Sequence, residues 1–224
     1  MAHRWFAIAS LAAVTAFAGV ARAASFTAYD SGPAFATALL SSPVGPVHVQ
    51  DFDGYAAGTD LAGVDFLPGI RASSNLDTIQ AFDPGLTGDR RLFAFSLVAP
   101  NEREAGSAFT KFELTAPYLA VGFAVSAWDP ASIGPAVARV EFLDGTSVDL
   151  DRFPTNATES EDSFFGVIAD VPVVAITWFE NEDETLPGGN EEVAFDDFVA
   201  AEVPEPGTAI LIASGLAALA RRRR

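Results

Sequence analysis

Apolar and polar residues alternate with a period of two through much of this chain, the spacing of strands with one buried face. Over 118–128, Leu119, Val121, Phe123 and Val125 point one way, and Ala120, Gly122, Ala124 and Ser126 point the other. Over 136–142, Ala138, Val140 and Phe142 face inward while Arg139 and Glu141 face outward. Asp144-Gly145 then turns the chain into 146–150, where Val148 and Leu150 face in, the strongest hairpin signal in the sequence. Further strands are predicted at 47–52, 64–67, 70–73, 78–82, 92–98, 108–114, 164–168, 173–179 and 194–199. One short helix is predicted over 34–40. Asp30 or Ser31 can cap it, Pro33 suits its first turn, and Phe35, Leu39 and Leu40 share a face.

Short strands broken by Gly, Pro and Asp, with almost no helix, predict a mainly β fold: a two-sheet antiparallel β-sandwich, jelly-roll-like, with one short N-terminal helix. The chain has 19 Phe and a single Met, so the core is expected to rest on rigid aromatic packing. No repeat of fixed period is visible, which argues against a solenoid or propeller.

The two ends break this pattern. At the start, a weakly basic His3-Arg4 precedes an apolar run, and Ala21-Arg22-Ala23 has the small-x-small form of a cleavage site. Residues 1–23 therefore read as a secretory signal peptide, cut by signal peptidase to leave Ala24 as the mature start. At the finish, Val203-Pro204-Glu205-Pro206-Gly207 is followed by an uncharged run to Ala220 and then by Arg221, Arg222, Arg223 and Arg224. The prolines keep the approach extended and remove two backbone donors. The apolar run can be helical in lipid, and the arginines hold its end on the cytoplasmic side. Residues 207–220 span ~21 Å as a helix at ~1.5 Å per residue, short of the ~30 Å hydrocarbon core. That length suits a transient handle better than a permanent anchor, although an uncleaved C-terminal anchor is the alternative.

Between the ends, residues 24–202 make one domain's worth of chain. The whole chain carries a formal charge of −17, and six of its 13 basic residues sit in the end segments, so the body is more acidic still. Such a body repels nucleic acid phosphates and anionic lipid, which argues against binding either. The absence of Cys rules out disulfides, thiolate metal sites and a Cys nucleophile. The only histidines are His3 and His48, too few for a His-based triad or a His-rich metal site. His48 reads as an ordinary half-exposed strand residue. No catalytic residue is assigned, and a polysaccharide hydrolase built on two carboxylates is the least favoured function. Asn156-Ala157-Thr158 fits a glycosylation sequon and is given no role.

The order of parts at the C-terminus resembles the PEP-CTERM sorting signal: a Pro-Glu-Pro triplet, a short hydrophobic helix and an Arg cluster over 203–224. The resemblance implies recognition by an exosortase, a membrane protease-transpeptidase that processes the tail near the triplet. It implies an exported protein held briefly at the inner membrane and then placed on the cell surface or in the extracellular matrix, among exopolysaccharide. A weaker resemblance covers the body. Val49-Gln50-Asp51-Phe52-Asp53-Gly54, Phe164-Phe165-Gly166-Val167 and Phe195-Asp196-Asp197-Phe198 look like strands of PEP-CTERM ectodomains, which are similar to jelly-roll, lectin-like and carbohydrate-binding sandwiches.

By that resemblance Asp51, Asp53, Asp196 and Asp197 are candidate ligands for a structural calcium, a cation that takes six to eight oxygens. The acidic stretch around Glu180 to Glu192 is a second oxygen-rich cluster. Trp128 and Trp178, each at a strand end, are candidate platforms for stacking on sugar rings. The first expectation is thus a non-catalytic surface or matrix protein; the second is a secreted carbohydrate-binding module.

Overall fold

A computed structural model describes residues 23–76, 78–82, 91–95, 108–127, 136–153, 163–179 and 192–205. The predicted signal segment up to Arg22, with Ala21, lies outside them. So do Pro206, Gly207, the C-terminal hydrophobic run, Arg221 to Arg224, Trp128, residues 180–191 and the sequon.

The described elements run β1 (Phe26–Tyr29), α1 (Gly32–Ser41), β2 (Val47–Gln50), β3 (Asp65–Leu67), β4 (Ile70–Ser74), β5 (Thr78–Phe82) and β6 (Arg91–Phe95). They continue with β7 (Phe109–Ala127), β8 (Ala136–Phe142), β9 (Ser147–Phe153), β10 (Ser163–Phe179) and β11 (Glu192–Glu202). Among the described residues every strand pairing is antiparallel, apart from one isolated parallel bridge between Ala62 and Ala72. Among the described residues no helix is long and apolar enough to cross a membrane.

Phe112 and Phe123 lie in the same strand, eleven residues apart, which in a straight strand is ~36 Å at ~3.3 Å per residue. Their ring centroids are 5.2 Å apart. β7 therefore folds over, and its two halves face each other across the core. β10 does the same, since Phe165 and Trp178 both pack on Phe123. The bends fall at Pro117 and Pro172, where a missing N–H interrupts the ladder. The register slips there, between Ile168 and Val173. The sequence pattern shows two strands in each place; the structure makes each pair a single strand that passes from one layer to the other.

The result is a two-layer antiparallel sandwich. The first layer runs β2, β11, the second half of β7, the first half of β10, then β1. Strands β5 and β6 extend it beside the first half of β11. The second layer runs β3, β4, the first half of β7, the second half of β10, β8 and β9.

Between the layers sits one large apolar cluster dominated by aromatic rings, with Phe112, Phe123, Phe165, Phe195 and Phe198 fully buried. Phe195 and Phe198 both point inward although three residues apart, which a strict period of two forbids. A bulge reconciles them: the β7 register shifts between Asp196 and Val199, and Asp197 takes a φ of 46°. A second irregularity, against Ala201 and Glu202, turns Tyr118 into the core and leaves Leu119 half-exposed, contrary to the predicted alternation. β2 stops at Gln50 instead of 52 because Phe52, at φ 57°, turns back to bury its ring against Phe66.

Helix α1 covers the outside of the first layer. Phe35 and Leu39 are buried against Ala120 and Ala201, while Leu40, placed on the same face by the sequence pattern, is 91% exposed. The ring of Phe35 sits where Gly122 and Gly166 pair across the strands. A Cβ at Gly166 would lie 2.6 Å from Phe35 Cδ2, so the facing glycines form its socket.

Candidate functional site

The closing strand leads directly into the C-terminal signal. Thr27, Ile168, Ala120, Ala201 and Val47 form one row of paired residues across the first layer. β1 begins and β11 ends on the same side of that row, three strand spacings or ~14 Å apart. The start of β1 and the end of β11 thus lie at one pole, the pole where β7 and β10 bend. At the N-terminal side, Ala24 packs partly buried on the core, and its backbone N–H reaches Asp144. Ala23 is exposed beside it. Ser25 is tied by its N–H to Asp170 Oδ1 at 2.7 Å.

At the C-terminal side, Glu202 is bonded through its N–H to Pro46 O and through its O to the Gly45 N–H. Its carboxylate meets His48 Nε2 at 2.7 Å, so His48 is the half-exposed strand residue expected, with a specific partner. The Glu202 charge and burial both push the neighbouring Tyr118 hydroxyl pKa upward, burial more. Val203 makes the last described backbone bond, N–H to Pro117 O at 2.9 Å. Pro204 then has no N–H to offer, and Glu205 stands exposed in solvent. From Val203 to Gly207 is four residues, at most ~14 Å of extended chain, so this pole stays close to whatever holds the tail.

The four aspartates predicted as calcium ligands do not converge. Asp51 Oδ1 accepts from the Asp53 N–H at 3.2 Å, and Asp196 Oδ1 accepts from the Asp197 N–H at 2.7 Å. The bulge in β11 separates the last two. Asp196 is largely buried with Arg91 Nε 3.9 Å from Oδ2, while Asp197 is exposed. Among the described residues no group of three or more His, Cys, Asp or Glu side chains is placed to hold a metal ion.

Trp178 is also placed differently from the expectation. It falls on the inward register of β10, is 2% exposed, and packs on Phe123 and Phe195. No sugar ring can reach it.

The outward register of the second layer carries the polar chemistry. Across adjacent strands, Lys111, Thr177, Arg139 and Asp149 form one cross-strand row. Arg71, Glu113, Ala175, Glu141 and Ser147 form the next. Arg139 binds Asp149 with both ends of its fork, Nε to Oδ1 at 2.7 Å and Nη2 to Oδ2 at 2.8 Å. Its guanidinium also lies 5.3 Å from the centre of the Phe179 ring. A polar cavity of about 560 Å³ opens beside the pair, lined by Arg139, Glu141, Ser147 and Asp149.

The turn sets this register. Asp144 Oδ1 accepts from the N–H and hydroxyl of Thr146, and Gly145 takes a φ of 83°. The outward placing of Arg139 and Glu141 is legible in the alternation. Their strand partners on β10, Thr177 and Ala175, are not, because that pairing joins segments far apart in sequence.

Hydrogen bonding from Arg139 holds the Asp149 carboxyl below the usual carboxylate range; slight desolvation opposes this and the Arg139 charge adds to it. A carboxyl lowered on folding stabilises above its unfolded pKa, and that stability is lost as pH falls through the folded value. Asp149→Asn is therefore expected to lower Tm slightly at neutral pH, with the gap to the parent closing below about pH 4. A gap that persists at pH 2 would show that the pair acts through packing and not charge.

Comparison with known proteins adds one assignment. Residues 202–224 match the PEP-CTERM protein-sorting motif, beginning at the final residue of β11. No curated protein matches the chain. Among solved structures, a family 29 carbohydrate-binding module is similar at 11% identity and a TM-score of 0.39, over 71% of this chain and 88% of that one. A family 11 carbohydrate-binding module from Clostridium thermocellum, solved with a β-1,3-1,4-mixed-linked tetrasaccharide, is similar at 9% identity and a TM-score of 0.27. It covers 67% of this chain and 99% of that one. At these scores the likeness carries no argument about what this chain binds.

Proposed function

We propose that this chain is a non-catalytic exported protein that an exosortase processes at its tail and delivers to the cell surface or extracellular matrix, in association with exopolysaccharide. The carrying observation is the sorting motif at 202–224, which starts where the last strand of the sandwich ends. The common pole of the start of β1 and the end of β11 supports it. A chain tethered by its signal segment, its tail, or both would present this same pole to the membrane.

The test is the full chain tagged within the exposed helix surface and expressed with and without 203–224 in an exosortase-containing host. Tail removal is expected to move the protein from the cell-associated fraction to the medium. Mass spectrometry of the cell-associated form is expected to show that Arg221 to Arg224 are gone. Mature surface protein that still carries them would favour the uncleaved anchor.

The second reading is a secreted carbohydrate-binding module, favoured by the polar outer face of the second layer. Structural calcium stays within it as a proposal supported by the excess of 30 acidic over 13 basic residues. A rise in Tm with millimolar calcium over chelator supports it, and an unchanged Tm removes it.

A further inference from the structure

We propose that the outer face of the second layer is a binding surface for a neutral polysaccharide chain, lying in the trough that β10 makes between β7 and β8. This rests on the polysaccharide-association reading and names the surface that carries it.

The trough follows from side-chain size. β10 is flanked by β7 on one side and β8 on the other. Its outward residues here are small, Ala175 and Thr177, and are buried at the floor. The walls are long and charged, Lys111 and Glu113 facing Arg139 and Glu141. At the far end, half-buried Phe109 and Phe179 lie side by side with ring centroids 6.4 Å apart and planes tilted by 58°, an apolar rim beside the polar walls.

The polar groups are also set for binding. Asp149 takes the Nε and one terminal nitrogen of Arg139, which fixes the plane of the guanidinium and leaves its remaining N–H groups for a ligand. On the β9 side of the same wall, a cavity of about 560 Å³ is lined by Glu141 and Ser147 together with Gly145, Thr146 and Val174.

Charge selects the ligand class. Between residues 24 and 202 the chain has seven basic residues, and three of them, Arg71, Lys111 and Arg139, stand on this one face. They alternate with Asp65, Glu113, Glu141 and Asp149 instead of forming a positive patch. A polyanion would meet carboxylates at every step. A neutral glycan, whose hydroxyls both donate and accept, can pair with each cation and carboxylate in turn.

Affinity electrophoresis of the full chain in detergent tests this, using gels containing mixed-linkage β-glucan, xyloglucan or galactomannan, with alginate as an anionic control. Retardation by at least one neutral polymer is expected, weakened about tenfold by Arg139→Ala and by Lys111→Ala, each removing a charged donor. Melting curves check that these exposed-face variants remain folded. The control Leu40→Ala, on the helix of the opposite layer, is expected to bind like the parent. Binding to a neutral polymer that neither face variant weakens would overturn the surface assignment while leaving polysaccharide association standing. Retardation by alginate alone would overturn the neutral class, and none by any polymer would overturn both.

Discussion

Phe123→Ala is expected to lower the unfolding free energy by about 3–5 kcal/mol, the range for deleting a fully buried aromatic ring. Phe123 is wholly inaccessible, and five rings surround it: Phe112, Phe165, Trp178, Phe195 and Phe198, with centroids 5.0 to 6.2 Å away. These come from both halves of β10, from both sides of the β11 bulge and from the opposite half of β7 itself. The ring is therefore the point at which the folded-over strands meet, and the cavity left by truncation cannot collapse without moving both layers. Against a domain stability of about 5–15 kcal/mol, the loss consumes a large share. Urea unfolding should show a large fall in midpoint at nearly constant m. A loss below about 1.5 kcal/mol would contradict the close packing of these rings.

Gly69→Ala is expected to cost about 2–4 kcal/mol through two separate terms. Pro68 and Gly69 form the turn between β3 and β4, with Gly69 at φ 66°, the left-handed conformation a glycine supplies at the third residue of such a Pro-Gly turn. An added Cβ would also stand 2.7 Å from Thr115 Oγ1 and 3.0 Å from the Ala116 nitrogen, at the bend of β7. The turn cannot retreat, because the Gly69 carbonyl accepts from the Thr115 N–H at 2.7 Å and Pro68 O accepts from the Tyr118 hydroxyl at 2.5 Å. A matched substitution at Gly54, where an added Cβ meets nothing and φ is ordinary, is the control and should stay within about 0.5 kcal/mol. If Gly69→Ala melts like the parent, the turn is not held as described.

Where the alternation was strong and local, sequence and structure agree. The hairpin of β8 and β9 forms around Asp144-Gly145, Ala138, Val140 and Phe142 are buried, and Val148 and Leu150 pack against the core. The Asp149 partner of Arg139 follows from that hairpin register. The readings that fail do so for long-range reasons. Leu40 shares a helix face with Leu39, yet the covered strip of the layer is only wide enough for Phe35 and Leu39. Trp178 nears the end of a strand, where a stacking platform is expected, but its parity in β10 points it into the core.

By itself the sequence determined the mainly β class, the tight hairpin, the aromatic core and the C-terminal sorting motif, since each depends on residues within about one element of each other. Only the tertiary structure decided that β7 and β10 each cross between layers at a proline, and that the start of β1 and the end of β11 share a pole. It alone brought Lys111 and Arg139 to opposite walls of one trough. Those outcomes depend on which distant strands pair and in what register, and short alternating segments leave that choice open until all of them are packed around the same core.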